Sequence, residues 1–565
     1  MKLVSFKVFN GRSVYSHRKC IKLNLDLEDY EDVTTNYINN FNKHLIDILP
    51  ELSVHCCSLG EEGGFQKRLN DGTHLHHLCG HIAIALQNRL QLDVSFCSES
   101  KLNSSSCYTI YEYKYKNTAI ETGKLAIDII NSIIGNKSLN LHSRLEILKN
   151  ILKAEEENSM LSDSISKKVI RSIPVISITG TNGKTTTTRL IAYTLSKAGY
   201  KVGMTTTDGI FINGDCIYEG DTTGPRSALD VLSNSDIDVA VLETARGGLV
   251  RNGLAYDLAD VSVITNVTDD HLGLDGIETL EDLAKAKMLV VEAVKKDGYV
   301  VINGDNEITA DMVTSLKSKP IIFSQNKDNE VLINSIKNRG FGIYIYHENL
   351  CIESQDFFLS LINVKDIGIT FNGILKYNIQ NAMAACGALI GFGIDPSIIK
   401  EALESFQCSE ELNPGRFNVF NIDGILIILD YGHNIDGYNS VLEGLIQIKH
   451  KRLIGVIGVP GDRLDRTTLE VGRIAGNYLN LIFIKEDKDL RGRRPGEVAA
   501  LLKEGILTSG FNSTNLRVIL DEEAALNEAM NSASTGDIVI VFFENYAPLL
   551  RLVKERSIKV IQKSN

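Results

Sequence analysis

Short runs of apolar, mostly β-branched residues recur along the chain after Pro174, and an amphipathic stretch separates each run from the next. The runs lack the polar alternation of a strand that faces water on one side, so we expect both faces of each strand to be buried. Strands of this kind that alternate with helices predict an α/β fold with a parallel sheet. The first four runs are Val175–Ile178, Val239–Leu242, Val261–Ile264 and Tyr299–Ile302.

A second series of such runs begins near Arg416 and predicts a separate carboxy-terminal, Rossmann-like α/β domain. Its runs are Ile425–Leu429, Leu453–Ile457, Leu481–Ile484, Val518–Leu520 and Ile538–Phe542. The first part of the chain instead mixes short β-like runs, such as Tyr108–Tyr115, with helical stretches, which indicates a small α+β domain. A polar segment rich in Leu, Lys and Glu follows it and predicts a helical connector. We therefore predict divisions at residues 1–135, 136–170, 171–412 and 413–565.

The composition of the 565 residues is ordinary for a globular protein, with 43% hydrophobic and 23% charged residues. The net charge of -12 argues against general nucleic-acid binding, which needs a basic surface. No apolar run is long enough to span a bilayer, and residues 1–20 lack the pattern of a signal peptide. The ten cysteines are scattered without a C-x-x-C pair, which is typical of reduced thiols. We expect a cytoplasmic protein with neither nucleic acid nor membrane as a partner.

A glycine-rich turn joins the first buried run to a predicted helix, Thr187–Ala198. Its glycines allow backbone N–H groups to face a polyphosphate, and the helix N-terminus adds partial positive charge. Lys184 is suited to reach the outer phosphates and Thr185 to ligate Mg²⁺, although the spacing between the glycines is shorter than in the common phosphate loop. The turn predicts nucleotide binding by Gly180, Thr181, Asn182, Gly183, Lys184, Thr185 and Thr186.

The variant G-T-N-G-K-T-T resembles the phosphate loop of the Mur ligase superfamily. Further motifs follow in the order of that family: E-T-A-R-G-G from Glu243, T-N-V-T-D-D-H from Thr265, A-K at Lys287, N-I-Q-N from Asn378, G-R at Arg416 and D-Y-G-H-N from Asp430. Each motif alone has an ordinary interpretation, such as a surface acid or a solvated lysine. Their joint occurrence in this order favours the resemblance, which covers residues 174–565.

The resemblance implies a role for each motif. In the family, a carboxylate after one strand and a histidine after the next hold metal ions, and a carbamylated lysine bridges them. Asn381 is implied at the adenine, Arg416 at the phosphates and Asp430 at the ribose. The implied metal ligands are Thr185, Glu243, His271 and Lys287. The implied catalytic residues are Lys184, Glu243, His271, Lys287 and Arg416.

Within the superfamily the chain most resembles the cyanophycin synthetases. The motifs that carry this likeness are D-T-T-G-P from Asp221, D-H-L-G from Asp270, G-D-R from Gly461 and K-E-D-K-D-L-R-G-R from Lys485, with G-G-F from Gly63 and H-I-A from His81 in the amino-terminal region. One departure is large, because cyanophycin synthetases carry an ATP-grasp ligase between these regions. Only residues 135–174 lie between Ile134 and the first buried run, so that ligase has no place here.

The resemblance implies an ATP-dependent, ADP-forming ligase that uses Mg²⁺ and joins a carboxylate to an amine through an acyl phosphate. The expected substrates are an amino acid and an amino-acid or peptide carboxylate, in a cyanophycin-like pathway. The expected partners are a separate ATP-grasp ligase or a polymer, and a second copy of the chain in a homo-oligomer. Two alternatives stay open: a folylpolyglutamate-synthase-type ligase, and a non-catalytic or regulatory subunit of a polymer-synthesising complex.

Two further charged features have no assigned role. A mixed-charge segment, Glu486–Arg494, is suited either to bind an amino acid or to form a solvated surface loop. Four histidines cluster near a predicted helix that ends near Gln87, and His77 and His81 stand four residues apart, so they share one helix face. Glutamates expected for a hydrolase are absent there, so a structural or substrate-anchoring domain is favoured and we predict no metal ligand. The four are His74, His76, His77 and His81.

Overall fold

The apolar runs after Pro174 form the middle of one large sheet in the computed structural model. The structure describes residues 1–9, 13, 15–16, 18–30, 33–56, 62–101, 106–166, 173–269 and 277–564. The chain forms two units. The first comprises Met1–Ser172 with Gly248–Asp257, and the second comprises Ile173–Gly247 with Leu258–Asn565.

The first unit is built on an antiparallel sheet packed against helices. Its described strands are β1 (Lys2–Phe9), β2 (Cys20–Asp26), β3 (Cys97–Lys101) and β4 (Ser106–Glu112), in the spatial order β1-β2-β4-β3. Its described helices are α1 (Phe41–Ile48), α2 (Gly64–Asp71), α3 (Leu75–Arg89), α4 (Lys116–Ile134) and α5 (Leu141–Ser166).

Alternation along β2 explains why the sheet has one covered face. Ile21, Leu23 and Leu25 are fully buried in the core that α3 and α4 complete.

The helix α5 occupies most of the segment between the amino-terminal region and Pro174. Its Glu155 carboxylate accepts hydrogen bonds from the backbone N–H of Asn117 (2.7 Å) and of Thr118 (2.7 Å), which fixes α5 against the first turn of α4.

The central part of the second unit contains an eleven-stranded sheet among its described residues. Its strands are β5 (Val175–Thr179), β6 (Val202–Thr205), β7 (Gly209–Ile212), β8 (Asp215–Glu219), β9 (Val239–Glu243), β10 (Ala259–Ile264), β11 (Val294–Asn303), β12 (Lys319–Ser324), β13 (Phe341–Tyr346), β14 (Asn349–Ser354) and β15 (Phe357–Asn363). Its helices are α6 (Lys184–Lys197), α7 (Pro225–Leu232), α9 (Leu280–Glu292), α10 (Glu307–Asp311), α11 (Glu330–Lys337), α12 (Lys376–Phe392) and α13 (Pro396–Ser405), while α8 (Arg246–Asn252) has residues in both units.

The strand order of this sheet is β15-β14-β13-β12-β11-β10-β5-β9-β6-β7-β8. The strands from β13 to β6 in this order are parallel, and antiparallel hairpins extend the sheet at both edges. Every residue of β5 and β9 is buried, as the continuous apolar runs predict. The carboxyl ends of β10, β5, β9 and β6 therefore lie side by side at one edge, where ligands bind in open α/β sheets.

A second sheet forms the carboxy-terminal part of the same unit. Its strands are β16 (Asn418–Ile422), β17 (Ile425–Asp430), β18 (Leu453–Ile457), β19 (Leu481–Ile484), β20 (Leu516–Val518) and β21 (Ile538–Phe542), in the order β16-β17-β21-β18-β19-β20. Its helices are α14 (Ile435–Leu445), α15 (Asp465–Tyr478), α16 (Glu497–Thr508), α17 (Glu522–Ser532) and α18 (Tyr546–Ser564). Only β16 is antiparallel to its neighbour within this described sheet.

The predicted α/β class with a small α+β amino-terminal region is confirmed. Several element boundaries differ from the prediction, and two of them bear on the site or its sheet. The helix after the glycine-rich turn begins at Lys184 instead of Thr187, because Gly183 in a left-handed conformation already ends the turn. The strand predicted at Val518–Leu520 lies at Leu516–Val518, where it pairs with β19. No helix of the described residues is long and apolar enough to cross a membrane.

Candidate active site

The glycine-rich turn is closely packed by groups from distant parts of the chain. A Cβ atom at Gly180 would lie 1.9 Å from Thr265 Oγ1, and one at Gly183 would lie 2.1 Å from Asn381 Oδ1. Both glycines also have positive φ, of 151° and 84°. Any larger residue at either position would therefore meet both a torsional and a steric penalty. The turn needs glycine for space as well as for conformation.

Hydrogen bonds from the end of β10 fix the backbone of the turn. Asn266 accepts from Thr181 N through its carbonyl (2.9 Å) and from Asn182 N through Oδ1 (2.9 Å). The hydroxyl of Thr265 donates to the carbonyl of Asn182 at 2.6 Å. The Lys184 ammonium folds back over the turn and donates to the carbonyl of Thr181 at 2.8 Å. The turn is thus held in shape by the residues that follow β10, with the Lys184 charge in direct contact with its backbone.

Thr185, Glu243 and Arg416 converge beside the turn, together with Thr207, which follows β6. The Thr185 and Thr207 hydroxyl oxygens are 3.1 Å apart, and Arg416 Nη2 donates to each of them at 3.2 Å. The backbone N–H of Thr207 donates to Glu243 Oε2 at 3.3 Å. Thr207 was not among the predicted site residues, although three consecutive threonines after an apolar run mark it in the sequence.

The carboxylate of Glu243 is the charged group at the end of β9, with 2% of its surface exposed. Burial raises its pKa, and the nearby charges of Lys184 and Arg416 and the Thr185 hydroxyl oppose that rise. Its Oε1 atom is buried and has no hydrogen-bond partner among the described residues. A buried carboxylate oxygen without a partner is costly unless a cation or a donor meets it. Together with the hydroxyls of Thr185 and Thr207, this oxygen fits the hard-oxygen ligand set of Mg²⁺.

Lys287, on α9, also contacts the turn. A capping box between Thr279 and Asp282 starts this helix. The Lys287 side chain is 3% exposed, and its ammonium donates to the carbonyl of Gly180 at 2.6 Å. His271, the other predicted ligand of a second metal ion, lies outside the described residues. Among the described residues, no group of three or more His, Cys, Asp or Glu side chains is arranged to hold a metal ion.

Asn381 lies against the phosphate turn through its contact with the Gly183 position. Its Nδ2 donates to Asn378 Oδ1 at 2.9 Å, which orients the amide on α12. Thr186, the last predicted residue of the turn, is approached from the carboxy-terminal part of the unit. Asn413 Nδ2 donates to its hydroxyl at 3.3 Å.

The carboxy-terminal sheet supplies groups that contact the same turn. The guanidinium of Arg416 lies over the ring of Tyr431, with 4.5 Å between them. The carboxylate of Asp430 accepts from the backbone N–H of Phe417 (2.9 Å) and of Gly432 (2.8 Å). Burial raises the pKa of Asp430, and Arg416 and these N–H groups oppose the rise. Asp430 therefore orients the chain around Arg416.

The two sheets of the second unit also meet through a reciprocal amide pair. Asn182 Nδ2 donates to Asn434 Oδ1 at 3.3 Å, and Asn434 Nδ2 donates to Asn182 Oδ1 at 3.0 Å. Asn434 is the N-cap of α14 and also accepts from Gly437 N. Asn434 appears in the predicted D-Y-G-H-N motif, but its contact with the turn depends on how the two sheets pack and was not predicted.

The amino-terminal histidines pack mainly against one another and against Phe65. The rings of His77 and His81 are 4.9 Å apart, and that of Phe65 is 4.3 Å from His81. Burial lowers the pKa of His81 to about 3, with a smaller contribution from neighbouring His77 and His55. An imidazole that stays neutral in an aromatic contact is typical of a core residue.

Three segments of the chain match known families. Residues 22–135 match the cyanophycin synthase-like N-terminal domain, residues 178–389 the Mur ligase middle domain, and residues 415–542 the Mur ligase, glutamate ligase domain. The chain therefore belongs to the Mur ligase superfamily. Within it, the chain combines a cyanophycin synthetase-like amino-terminal domain with the middle and carboxy-terminal domains of a Mur ligase.

Named relatives agree with this assignment. Cyanophycin synthetase of Synechocystis sp. is 41% identical over 384 residues, which are 68% of this chain and 44% of that protein. The 2,6-diaminopimelate-adding ligase of UDP-N-acetylmuramoyl-L-alanyl-D-glutamate from Syntrophomonas wolfei is 28% identical over 402 residues, or 68% of this chain and 76% of that protein. The match to this chain spans less than half the length of the curated cyanophycin synthetases.

Solved structures show the same fold. E. coli FolC in complex with ADP is 19% identical, covers 69% of this chain and 90% of its own, and has a TM-score of 0.51. A bifunctional folylpolyglutamate synthase/dihydrofolate synthase with Mn, AMPPNP and L-glutamate bound is 20% identical, covers 68% of this chain and 89% of its own, and also has a TM-score of 0.51. At this level of identity the likeness concerns the fold alone.

Proposed function

We propose that this protein is an ATP-dependent, ADP-forming ligase that joins a carboxylate to an amine through an acyl phosphate. The observation that carries the proposal is the convergence of Thr185, Glu243 and Arg416 on a phosphate-type turn that already bears Lys184. A buried carboxylate beside two cations and a strand-to-helix turn is an arrangement suited to a nucleotide with its metal ion.

The triphosphate would lie along the turn, where backbone N–H groups, Lys184 and Arg416 supply positive charge. Phosphoryl transfer is catalysed chiefly by positioning and by electrostatic stabilisation of the transferring oxygens. Thr185, Thr207 and Glu243 would hold Mg²⁺ beside them. When bound, Mg²⁺ neutralises charge on the outer phosphates. Glu243 would be ionised in that state, because the cation favours the carboxylate form against the effect of burial.

A second metal position rests on Lys287 and His271. Lys287 is buried beside the turn and donates to the Gly180 carbonyl. Carbamylation needs the neutral amine of Lys287. The resulting carbamate would replace the lysine cation with an anionic group whose oxygens can bind a metal ion. Asn381 and Asp430 are proposed for the adenine and the ribose, as the family resemblance implies.

The reaction proceeds in two steps. The substrate carboxylate attacks the γ-phosphorus of ATP, which forms the acyl phosphate and releases ADP. A neutral amine then attacks the acyl carbon, phosphate leaves, and a proton is lost from nitrogen to give the amide. The contacts of Arg416 and Asn434 with the turn favour closure of the carboxy-terminal sheet over the nucleotide, which would exclude water from the acyl phosphate.

The substrates are proposed from the relatives, as an amino acid and an amino-acid or peptide carboxylate. Because residues 135–174 leave no place for an ATP-grasp ligase, backbone extension of a cyanophycin-like polymer would need a separate enzyme as a partner. A non-catalytic subunit of such a complex is the competing proposal. The buried, unpartnered oxygen of Glu243 favours an enzyme, since a subunit that only binds a polymer has no need for it.

The test is ADP release measured over a matrix of carboxylic acids and amines that includes aspartate- and arginine-containing peptides. The variant Lys184→Ala is expected to lose at least about 10²-fold in rate, because it removes the positive charge that would stabilise the transferring phosphate oxygens. The exposed Lys317→Ala variant in the same unit is the matched control and should keep wild-type rates. Near-normal turnover by Lys184→Ala would contradict the phosphate site. ATP binding without turnover on any pair would favour the non-catalytic subunit.

A further inference from the structure

Residues 206–208 form the turn between β6 and β7, which we call the β6–β7 turn. It carries Thr207, whose hydroxyl oxygen is 3.1 Å from that of Thr185 in the candidate metal site. Neighbouring oxygen ligands of an octahedral Mg²⁺, each about 2.1 Å from the ion, are about 3 Å apart. The two hydroxyls therefore have the spacing of one edge of such an octahedron, and the contacts that hold this spacing affect how well the ion fits.

The backbone at both ends of the β6–β7 turn is fixed by Thr222, which is 1% exposed. The Thr222 hydroxyl oxygen is 2.7 Å from the carbonyl of Thr206 and 2.8 Å from that of Gly209, and it accepts from the Thr206 N–H at 3.2 Å. Within the turn, the N–H of Asp208 donates to the Thr206 hydroxyl at 3.1 Å. None of these bonds involves Thr207, so its distance from Thr185 depends on a further contact.

That contact comes from Arg189 on α6. Its Nη2 donates to Asp208 Oδ2 at 2.9 Å, and Asp208 directly follows Thr207 in the turn. Arg189 and Thr185 are four residues apart on α6, so they lie on the same face of the helix. Two adjacent contacts therefore join α6 to the β6–β7 turn, one between two hydroxyls and one between two charges. The second contact holds the turn at a fixed distance from the helix.

The burial of Arg189 indicates a role other than stability. Arg189 is 7% exposed, whereas its partner Asp208 is 38% exposed, and the guanidinium lies 5.0 Å from the ring of Phe211. Its Nε is buried and has no hydrogen-bond partner among the described residues. A buried cation loses its hydration, and apolar residues of similar volume often stabilise a fold as well or better. A side chain needed only to fill this space would therefore be apolar, and the arginine is explained by its contact with Asp208.

We propose that Arg189 is a positioning residue for the metal ion: by holding Asp208, it keeps Thr207 at the spacing that Mg²⁺ requires, and the site therefore prefers Mg²⁺ to Ca²⁺. This inference rests on the proposed function and concerns the metal site of that same function. Mg²⁺ requires nearly ideal octahedral geometry, whereas Ca²⁺ accepts more ligands in a flexible arrangement. A turn released from Arg189 therefore loses affinity for Mg²⁺ and keeps its affinity for Ca²⁺.

The test measures nucleotide binding without turnover. Isothermal titration of AMPPNP into the full chain with Mg²⁺, with Ca²⁺ or with EDTA gives three Kd values. The ratio of the Kd in EDTA to the Kd with a metal ion is the enhancement by that ion, and for the wild type it should be larger with Mg²⁺ than with Ca²⁺. Arg189→Met keeps an unbranched apolar side chain beside Phe211. It should lose about tenfold or more of the Mg²⁺ enhancement, as is typical when a supporting contact of a metal ligand is removed. Its Ca²⁺ enhancement and its Kd in EDTA should stay within about twofold of the wild type.

Three further variants separate positioning from loss of structure. Lys197→Met, the matched control on the same helix, removes a lysine paired with Glu401 and should leave all three Kd values unchanged. Arg189→Lys keeps a positive charge near Asp208 and should lie between the wild type and Arg189→Met. The double variant Arg189→Met/Asp208→Asn removes both charges, so its thermal midpoint without metal should stay within about 3 °C of the wild type. Its Mg²⁺ enhancement should nevertheless stay as low as in Arg189→Met.

The proposal is overturned if the wild type gains no more from Mg²⁺ than from Ca²⁺, or if Arg189→Met keeps the Mg²⁺ enhancement. Equal loss of both enhancements in Arg189→Met would also overturn it. Recovery of the Mg²⁺ enhancement in the double variant would show that the ion pair serves stability alone. If ADP release is absent for every acid and amine while these binding results hold, the ligase proposal fails and the role of Arg189 at the metal site stands. If the wild type releases ADP and Arg189→Met binds Mg²⁺ and AMPPNP normally, the role of Arg189 alone fails.

Discussion

Thr207 shows how a single residue can join three separate parts of the candidate site. Its hydroxyl contacts both the Thr185 hydroxyl and the Arg416 guanidinium, and its backbone N–H donates to Glu243. Among the described residues, Thr207 is the one hydroxyl that makes hydrogen bonds to both the Thr185 and the Arg416 side chains. Thr207 thus links the phosphate turn, the end of β9 and the carboxy-terminal sheet.

Thr207→Val is expected to lower the kcat/KM for ATP about tenfold or more, because it removes the hydroxyl that both partners contact. Thr207→Ser keeps the hydroxyl and should retain most of the activity. Mg²⁺ titrations of ADP release would measure the effect, and the thermal midpoint of each variant would show whether the fold is kept. A valine variant with wild-type Mg²⁺ dependence would remove Thr207 from the site.

The sequence predicted the residues of this site where a local motif carries them. Lys184 and Thr185 follow from the turn, and Glu243 follows from the family motif that it begins after a buried run. Thr207 and Asn434 could not be predicted in the same way, because their roles depend on which strands become neighbours and on how two sheets meet. The metal and nucleotide roles themselves stay predictions that the experiments above address.

At the level of elements, α6 is bounded by two left-handed glycines with different surroundings. Gly183, at its start, has φ of 84° and faces Asn381, whereas Gly199, just past its end, has φ of 89° with nothing within 4 Å of an added Cβ. The two positions therefore separate the torsional cost of a side chain from the steric cost.

Gly199→Ala is expected to lower the free energy of unfolding by about 1 kcal/mol, through torsional strain alone. Gly183→Ala should cost more than about 2 kcal/mol, because the new methyl group must also displace the Asn381 amide. Urea unfolding of both variants measures the difference, and only Gly183→Ala should lose AMPPNP binding. Equal costs at the two positions would contradict the close contact with α12.

An ion pair fixes the start of two parallel strands in the carboxy-terminal sheet. Asp537, just before β21, accepts from Arg452 Nε at 3.1 Å and from Ser534 N at 2.9 Å, and Arg452 precedes β18. Burial raises the pKa of Asp537, but hydrogen bonds from Arg452 and Ser534 outweigh it, and the net pKa lies below its ordinary value.

Asp537→Asn should therefore lower the thermal midpoint by roughly 3–6 °C at neutral pH, since the pair and its hydrogen bonds weaken. A depressed pKa contributes stability above the pKa of the unfolded chain and loses it as pH falls through the folded value. The difference in thermal midpoint between the wild type and Asp537→Asn should stay constant from pH 7 to about 5 and shrink below about pH 4. Calorimetry across this pH range measures the difference in thermal midpoint, with the exposed Asp356→Asn variant as the control. A difference that grows in acid would contradict the lowered pKa of Asp537.

Element predictions succeeded where burial alone determines the pattern. The runs at β5, β9, β17 and β21 are mainly apolar and mainly buried, and their predicted bounds lie within one residue of the observed strands. The edge hairpins of the large sheet were not predicted. β8 is exposed along its whole length, so its sequence carries no burial pattern to find.

On the scale of the whole molecule, the predicted divisions at residues 1–135, 136–170, 171–412 and 413–565 stay predictions. The described elements do follow in the order of an antiparallel sheet with helices, the long helix α5 and two α/β sheets. Membership of the two units is less simple, since Gly248–Asp257 belongs with the amino-terminal residues although its flanking residues belong to the second unit. Composition could not reveal that Gly248–Asp257 groups with the amino-terminal residues, because the grouping depends on contacts between segments far apart in sequence.

The position of β5 in the middle of the large sheet has a kinetic consequence. Ile176 pairs with Val241 on one side and with Val261 on the other, whereas the hairpin of β13 and β14 pairs Tyr346 with nearby Asn349. Long chain closures are entropically expensive and slow, and local hairpins form early. The turn that follows β5 can acquire its shape only after both remote neighbours have docked. During refolding from denaturant, nucleotide binding should therefore return last, after most of the secondary structure has already been regained.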